Sequence, residues 1–147
     1  MHTPIGDLTL FDQRGAITAL SFGWCDLQEP SFVLQQAKDQ IDAYFDGHRT
    51  GFNLPLAPFG TDYQKRVWRA LARIPYGETR QYGELAAELG SAPRAIGGAC
   101  GRNPLPILLP CHRVLAADGG LGGYSGEGGV DTKKALLILE GALPVPT

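Results

Sequence analysis

Three cysteines in 147 residues, with no Cys-x-x-Cys pair, leave no disulfide framework to read. An odd, sparse set of thiols fits a reducing cytoplasm. His2, His48 and His112 are scattered and have no Cys/His neighbours at ligand spacing, so no structural metal is expected. Long apolar runs are missing too: none approaches the roughly 20 residues that a membrane-spanning helix needs. Met1-His2-Thr3-Pro4 offers neither a charged n-region nor an h-region. The expectation is a cytoplasmic protein with no membrane partner. Nor is there a large excess of one charge. A formal net charge of −2 excludes a generally adhesive polycation.

The charge that is present is unevenly spread. From Asp62 to Arg113, eight Lys/Arg face four acids, so that segment is +4, while the residues before it sum to −4 and those after it to −2. A phosphate-facing surface, if the chain has one, lies in the middle. The bland alternative is a set of solvated helix faces. At this length the chain buries a proper core, as one unit or as a small N-terminal layer leaning on a larger C-terminal part.

Asp7–Asp12 and Ala16–Phe22 alternate apolar with small or polar residues around Gln13-Arg14-Gly15, which predicts a β-hairpin. Ser31 reads as the N-cap of a helix whose apolar positions are Phe32, Leu34, Ala37, Ile41, Tyr44 and Phe45, ending near Gly47. Trp24 and Cys25 read as core or edge packing. His48 to Gly60, with Pro55 and Pro58 and no periodicity, is a connector. Thr61-Asp62-Tyr63-Gln64 is a capping box for a helix burying Tyr63, Val67, Trp68 and Leu71. A second helix is predicted from Arg80 to Leu89, stopped by Gly90, and a third from about Ala92 to Gly101. Two short helices around a glycine turn fit a helix-turn-helix, although any helical hairpin produces the same pattern. The third helix is rich in glycines that cost about 1 kcal/mol each relative to alanine, which is tolerated where a small surface must approach something closely.

Asn103 to Val114 is the one segment that reads as a chemical site. Pro104, Pro106 and Pro110 bracket an aliphatic run, predicting a short buried strand that ends at Cys111. A cysteine beside a histidine is most often an inert hydrophobe. The functional alternative is a thiol whose proton an imidazole accepts. Successive side chains of a strand point to opposite faces, so His112 would need a bridging water or a bend at Pro110 to serve Cys111. Asp118-Gly119 marks a turn. Gly119 to Gly129 then holds seven glycines, but lacks the Gly-Lys-Ser/Thr ending of a phosphate loop. Asp131 or Thr132 is expected to cap a last helix running to Glu140 and closed by Gly141. A glutamate at a helix C-terminus opposes the macrodipole, a misfit that hints at a special role.

Pro110-Cys111-His112-Arg113-Val114, after an apolar stretch opened by Asn103-Pro104, resembles without substitution the signature of the methylated-DNA protein-cysteine methyltransferases, or O-alkylguanine-DNA alkyltransferases. The likeness covers about Thr61 to Gly141 and is weaker over the first sixty residues. It implies an α/β (α+β) fold: an abbreviated N-terminal sheet-and-helix layer with connector over residues 1–60, then a mainly helical, winged-helix-like catalytic DNA-binding domain over 61–147. Between Gly90 and Arg94 the chain is shorter than the family pattern, and Pro93 immediately precedes Arg94.

The resemblance also assigns roles. The partner is double-stranded DNA carrying O6-alkylguanine, bound by a monomer without cofactor or metal. The lesion is flipped out of the stack at a cost of a few kcal/mol. Arg94 fills the gap it leaves, with Ala95, Gly98, Arg102 and Arg113 also on DNA. Cys111 takes the alkyl group irreversibly, while His112, acting through a water and oriented by Glu140, accepts the thiol proton. Tyr82 donates to the guanine ring nitrogen N3, Val114, Tyr124 and Ser125 line the pocket, and Asn103 is the hinge between helix and active-site segment. Two alternatives remain. A papain-like hydrolase would carry different residues around its cysteine. A non-catalytic module that recognises alkylated bases would lack the nucleophilic thiol.

Overall fold

Alternation and a tight turn build the first elements. In the computed structural model, which describes residues 1–25, 31–121 and 129–144, β1 (His2–Thr3), β2 (Gly6–Gln13) and β3 (Ala16–Phe22) form an antiparallel sheet in that order. Gln13 pairs with Ala16, so Arg14 and Gly15 alone make the turn. Both are left-handed (φ 53° and 79°), as a two-residue hairpin turn of matching twist requires. The predicted hairpin thus gains a short third strand. It also gains part of the connector, since Ile17 N donates to Pro55 O and Ala57 N to Ile17 O, both at 2.8 Å.

Helix α1 (Phe32–Phe45) starts at Ser31, whose hydroxyl accepts from Leu34 N at 3.2 Å. Its buried face is Val33, Ala37, Ile41 and Tyr44 rather than the predicted stripe beginning at Phe32, which is 81% exposed. The spacing from 37 onwards selects Val33 by one helical turn, and Phe32 falls on the opposite side. These side chains bury together with Leu8, Ile17 and Leu20 of the sheet. Trp24 is half exposed and stacks on His2 with ring centroids 4.9 Å apart. These elements belong to the first of two compact units, Met1–Phe59; the second is Gly60–Thr147.

In the second unit, α2 (Asp62–Ala72) opens on the expected capping box: Gln64 N donates to Thr61 Oγ1 at 3.1 Å, and Thr61 N to Gln64 Oε1 at 2.9 Å. Val67, Trp68, Ala70 and Leu71 are buried, and the Trp68 indole donates to Ala99 O at 2.9 Å. Gly60 is required here, because a Cβ would lie 2.4 Å from the Trp68 ring.

The second predicted helix begins two residues late. Arg80–Gln81 is extended as β4 and pairs in parallel with β5 (Val114–Leu115), so α3 spans Tyr82–Leu89. Gln81 N donates to Glu84 Oε1 at 2.9 Å, and Gly90 (φ 64°) ends the helix as predicted. Helix α4 is Pro93–Gly101, with Pro93 in its first turn, where a missing N–H costs nothing. The last helix, α5 (Val130–Leu139), starts earlier than expected. Gly129 at φ 54° takes the N-cap position in place of Asp131 or Thr132, and Glu140 is the C-cap. Among the described residues, no helix is long and apolar enough to cross a membrane.

Candidate active site

The segment before the cysteine is not a strand. Three prolines remove the N–H groups a ladder would use, and the chain closes on Asn103 instead. Asn103 Nδ2 donates to Leu109 O at 2.8 Å, and its Oδ1 accepts from Leu105 N at 2.9 Å. Leu109 N donates to Leu105 O at 2.8 Å. The loop so formed holds buried Ile107 at φ 75°, a conformation that costs a β-branched residue roughly 1–3 kcal/mol. Cys111 N then bonds Leu109 O at 2.7 Å, and Cys111–Arg113 makes one turn of 3-10 helix. The chain thus bends at Pro110, one of the two alternatives that the sequence left open. β5 follows, and its pairing with β4 seats Tyr82, the first residue of α3, beside the strand that leaves the cysteine.

His112 and Glu140 meet inside the unit. His112 Nε2 lies 2.8 Å from Glu140 Oε2, and both side chains are fully buried. Arg113 completes the group, with Nε 2.8 Å from Glu140 Oε1 and Nη2 2.9 Å from Oε2, while Nη1 donates to Ile74 O at 2.6 Å. Its guanidinium also lies 5.8 Å from the Tyr76 ring centroid. Arg113 is therefore buried and committed to Glu140, which corrects its expected place on DNA: the carboxylate on α5 outcompetes solvent for it.

The carboxylate accepts from Arg113 and so presents acceptor oxygens to His112, which assigns the imidazole proton to Nε2. Nδ1 is left as the basic nitrogen. It is buried and has no hydrogen-bond partner among the described residues. Burial holds the His112 pKa below its ordinary value against the pull of Glu140, so the ring is neutral and able to accept a proton. Burial pushes the Cys111 thiol up; the Asn103 side chain, the Lys133 charge and a backbone bond pull it partway back. Tyr82 is pushed up to about 12, first by burial and then by Cys100 and Cys111, so its hydroxyl stays a donor.

The other anticipated residues sort by surface. Arg94, Ala95, Gly98 and Arg102 are exposed on α4 and its C-cap, with Arg94, Gly98 and Arg102 at successive i, i+4 spacings on one face. Ile96, Ala99 and Cys100 form the buried face. Val114 is buried, whereas Tyr124 and Ser125 lie outside the described residues. No group of three or more His, Cys, Asp or Glu that could hold a metal occurs among the described residues.

Lys133 is a site residue that the sequence reading misses. It is fully buried, and its Nζ donates to Val114 O at 2.6 Å and to Leu121 O. The signal lies in the helix spacing: Lys133 shares a face with Leu136, Leu137 and Glu140, so a lysine stands where an apolar residue is due.

A buried thiol adjacent in sequence to a neutral histidine anchored by a carboxylate, in a unit with a glycine-rich helix exposed on one face, fits the class of proteins with a cysteine nucleophile. Comparison with known proteins narrows that class. The model of the 6-O-methylguanine DNA methyltransferase DNA binding domain matches residues 62–142, and that of the ribonuclease-like domain of the same enzymes matches residues 1–58. The chain belongs to the 6-O-methylguanine DNA methyltransferase family. It is 47% identical to the methylated-DNA–protein-cysteine methyltransferase of Mycobacterium bovis, covering 95% of this chain and 89% of that one. To the constitutive enzyme of Bacillus subtilis it is 42% identical, covering 95% and 92%. The crystal structure of Mycobacterium tuberculosis OGT in complex with DNA superposes with a TM-score of 0.85 at 45% identity, covering 97% of this chain and 91% of that one.

Proposed function

We propose that this protein repairs double-stranded DNA by moving an alkyl group, methyl in the simplest case, from O6 of guanine to Cys111. The observation that carries the reading is the pairing of His112 with Glu140 at 2.8 Å, one residue from Cys111, with Nδ1 left open. A water between Nδ1 and the thiol passes the proton to His112 as the sulfur attacks the alkyl carbon in line, and the bond from that carbon to O6 breaks. Tyr82 donates its hydroxyl proton or hydrogen bond to the departing guanine, and Val114 lines the pocket. Asn103 holds Cys111 in place by closing the loop in front of it. The product is a thioether, which has no carbonyl for water to attack and no good leaving group, so each molecule acts once.

Helix α4 is the part that meets DNA in this reading, with Arg94 taking the place of the extruded base. The glycines support it. A Cβ at Gly98 or Gly101 would meet nothing, and one at Gly97 would only touch the Tyr82 ring at 4.0 Å. Internal packing does not demand them, so the roughly 1 kcal/mol that each costs points to an external surface approached closely. Residues 61–147 would carry both binding and chemistry, with 1–60 as the supporting layer, in a cytoplasmic monomer that uses no cofactor.

The test is intact mass after mixing the protein with a duplex bearing O6-methylguanine, with Cys111→Ala alongside. A gain of one methylene, ~14 Da for a methylated thiol, is expected on the wild type alone. Binding without any mass change would replace this reading with a lesion-sensing module.

A further inference from the structure

Ile74-Pro75-Tyr76-Gly77, in the connector between α2 and β4, has no part in the chemistry above, yet it grips the buried His112, Glu140 and Arg113 group from two sides. On the arginine side, Ile74 O accepts from Arg113 Nη1 at 2.6 Å, and the Tyr76 ring centroid stands 5.8 Å from the guanidinium. On the glutamate side, the Tyr76 hydroxyl donates to Leu139 O at 3.2 Å. That carbonyl belongs to the peptide that carries the Glu140 N–H, and it is one of the last carbonyls of α5, which a helix cannot satisfy from within. Gly77, at φ 82°, brings its backbone against the next peptide, since a Cβ there would lie 3.2 Å from Glu140 O. Both peptides that flank Glu140 are therefore met by one connector.

We propose that Tyr76 is a positioning residue of the alkyl transfer: by holding the end of α5 and the guanidinium of Arg113, it fixes where the Glu140 carboxylate stands and, through it, the ring of His112. The proposal rests on the alkyl-transfer reading and adds a residue to it. The need for such a hold follows from the place of Glu140. It is the C-cap of α5, and helix ends fray. A carboxylate there also opposes the macrodipole. Yet its Oε2 has to stay 2.8 Å from His112 Nε2 if the ring proton is to remain on that nitrogen and leave Nδ1 basic. Arg113 can steady the carboxylate only if it is itself held, and the contacts from Ile74 and Tyr76 hold it. The connector then runs on through Glu78 and Thr79 into β4 and Tyr82. The proton acceptor for the thiol and the donor to the leaving guanine thus share one anchor.

The measurement is single-turnover methyl transfer from O6-methylguanine duplex in wild type, Tyr76→Leu, Glu140→Ala and the double variant, at a temperature where all four are folded by circular dichroism. Tyr76→Leu removes both the ring and the hydroxyl. At saturating duplex its rate is expected to fall about tenfold to a hundredfold, the scale of a misplaced catalytic group, while the half-saturating duplex concentration stays close to that of wild type. In the Glu140→Ala background the same substitution is expected to slow the reaction little further, because no carboxylate is left for Tyr76 to place. An unchanged rate in Tyr76→Leu, or a fall by the same factor in both backgrounds, overturns the proposal and reduces Tyr76 to packing. Should a variant not fold, Tyr76→Phe, which keeps the ring and loses the bond to Leu139, is compared with wild type by NMR without DNA. Exchange of the His112 Nε2–H proton with water is expected to quicken in Tyr76→Phe, and equal exchange overturns the proposal. Failure of the wild type to transfer methyl at all would sink the alkyl-transfer reading, while the proton-exchange comparison would still test the hold on His112.

Discussion

Glu140→Ala removes the acceptor at the centre of the buried group. Three hydrogen bonds of 2.8–2.9 Å end on that carboxylate, two from Arg113 and one from His112. After the change Arg113 stays buried with Ile74 O and the face of Tyr76 but without its counter-charge. Stranding a buried charge in this way costs about 3–5 kcal/mol. For a chain of this size that corresponds to a fall in Tm of roughly 6–20 °C, measurable by scanning calorimetry. The cause can be separated from lost packing with the double variant Glu140→Met/Arg113→Met, which removes both charges at nearly constant volume. It is expected to recover most of the loss, leaving His112 Nε2 as the remaining unpaired donor. Methyl transfer, assayed well below the lowered Tm, stays slow in both variants because His112 has lost the partner that fixes its tautomer. A Glu140→Ala protein melting within about 2 °C of wild type, or a double variant no more stable than the single, would refute the stranded-charge argument.

Gly98→Ala should make the protein more stable and a weaker DNA binder at once. The added methyl meets nothing inside the fold and gains about 1 kcal/mol of helix propensity; unchanged duplex affinity in a binding titration would remove α4 from the DNA contact. Asn103→Ala should cost about 1–3 kcal/mol in urea unfolding, since it leaves the buried Leu105 N–H without its partner and takes from the Leu109 carbonyl one of two donors, Cys111 N being the other. Stability should also fall at both ends of the pH scale. The His112 pKa is depressed by burial, so its contribution is complete above its ordinary value of 6.5 and is lost as acid protonates the unfolded ring. Cys111, Cys100 and Tyr82 are all raised, the latter two to about 12, so their contributions are complete below the ordinary values of 9.0 for the thiols and 10.0 for the phenol and are lost as alkali ionises them in the unfolded chain. Lys133, which is lowered, works the other way, one group against three. Urea midpoints across pH in wild type and His112→Gln check the acid limb: a slope unchanged by the substitution would assign it elsewhere.

What can be read from the sequence is what neighbours in the chain decide. The Thr61/Gln64 box, the Ser31 cap and the Arg14-Gly15 turn each close hydrogen bonds within three residues, and each is visible there. The pairing of His112 with Glu140 spans 28 residues and is available only through the family's signature. Arg113 misleads for the same reason: beside Cys-His it looks like a DNA contact, and the carboxylate that captures it lies 27 residues on. The Asn103–Pro110 run fails differently. Its apolar content fits a buried strand, but three prolines leave too few N–H groups for a ladder, and the side chain of Asn103 supplies the missing bonds. Composition reports the burial correctly and the backbone path incorrectly.

Cys111 is buried with its thiol pushed above the ordinary range, which is the reverse of the usual way to make a reactive cysteine. For a residue that works once, as the proposed reaction has it, this arrangement has a use. A standing thiolate would be open to any small electrophile or oxidant, and each such event would destroy a molecule. Here burial favours the protonated thiol, while His112, the base in the proposed reaction, is held by Glu140, itself paired with Arg113. In the proposed reaction, reactivity would then depend on what enters the pocket: an alkyl carbon aligned with sulfur, on a base whose leaving anion Tyr82 would stabilise, would let proton loss and attack proceed together.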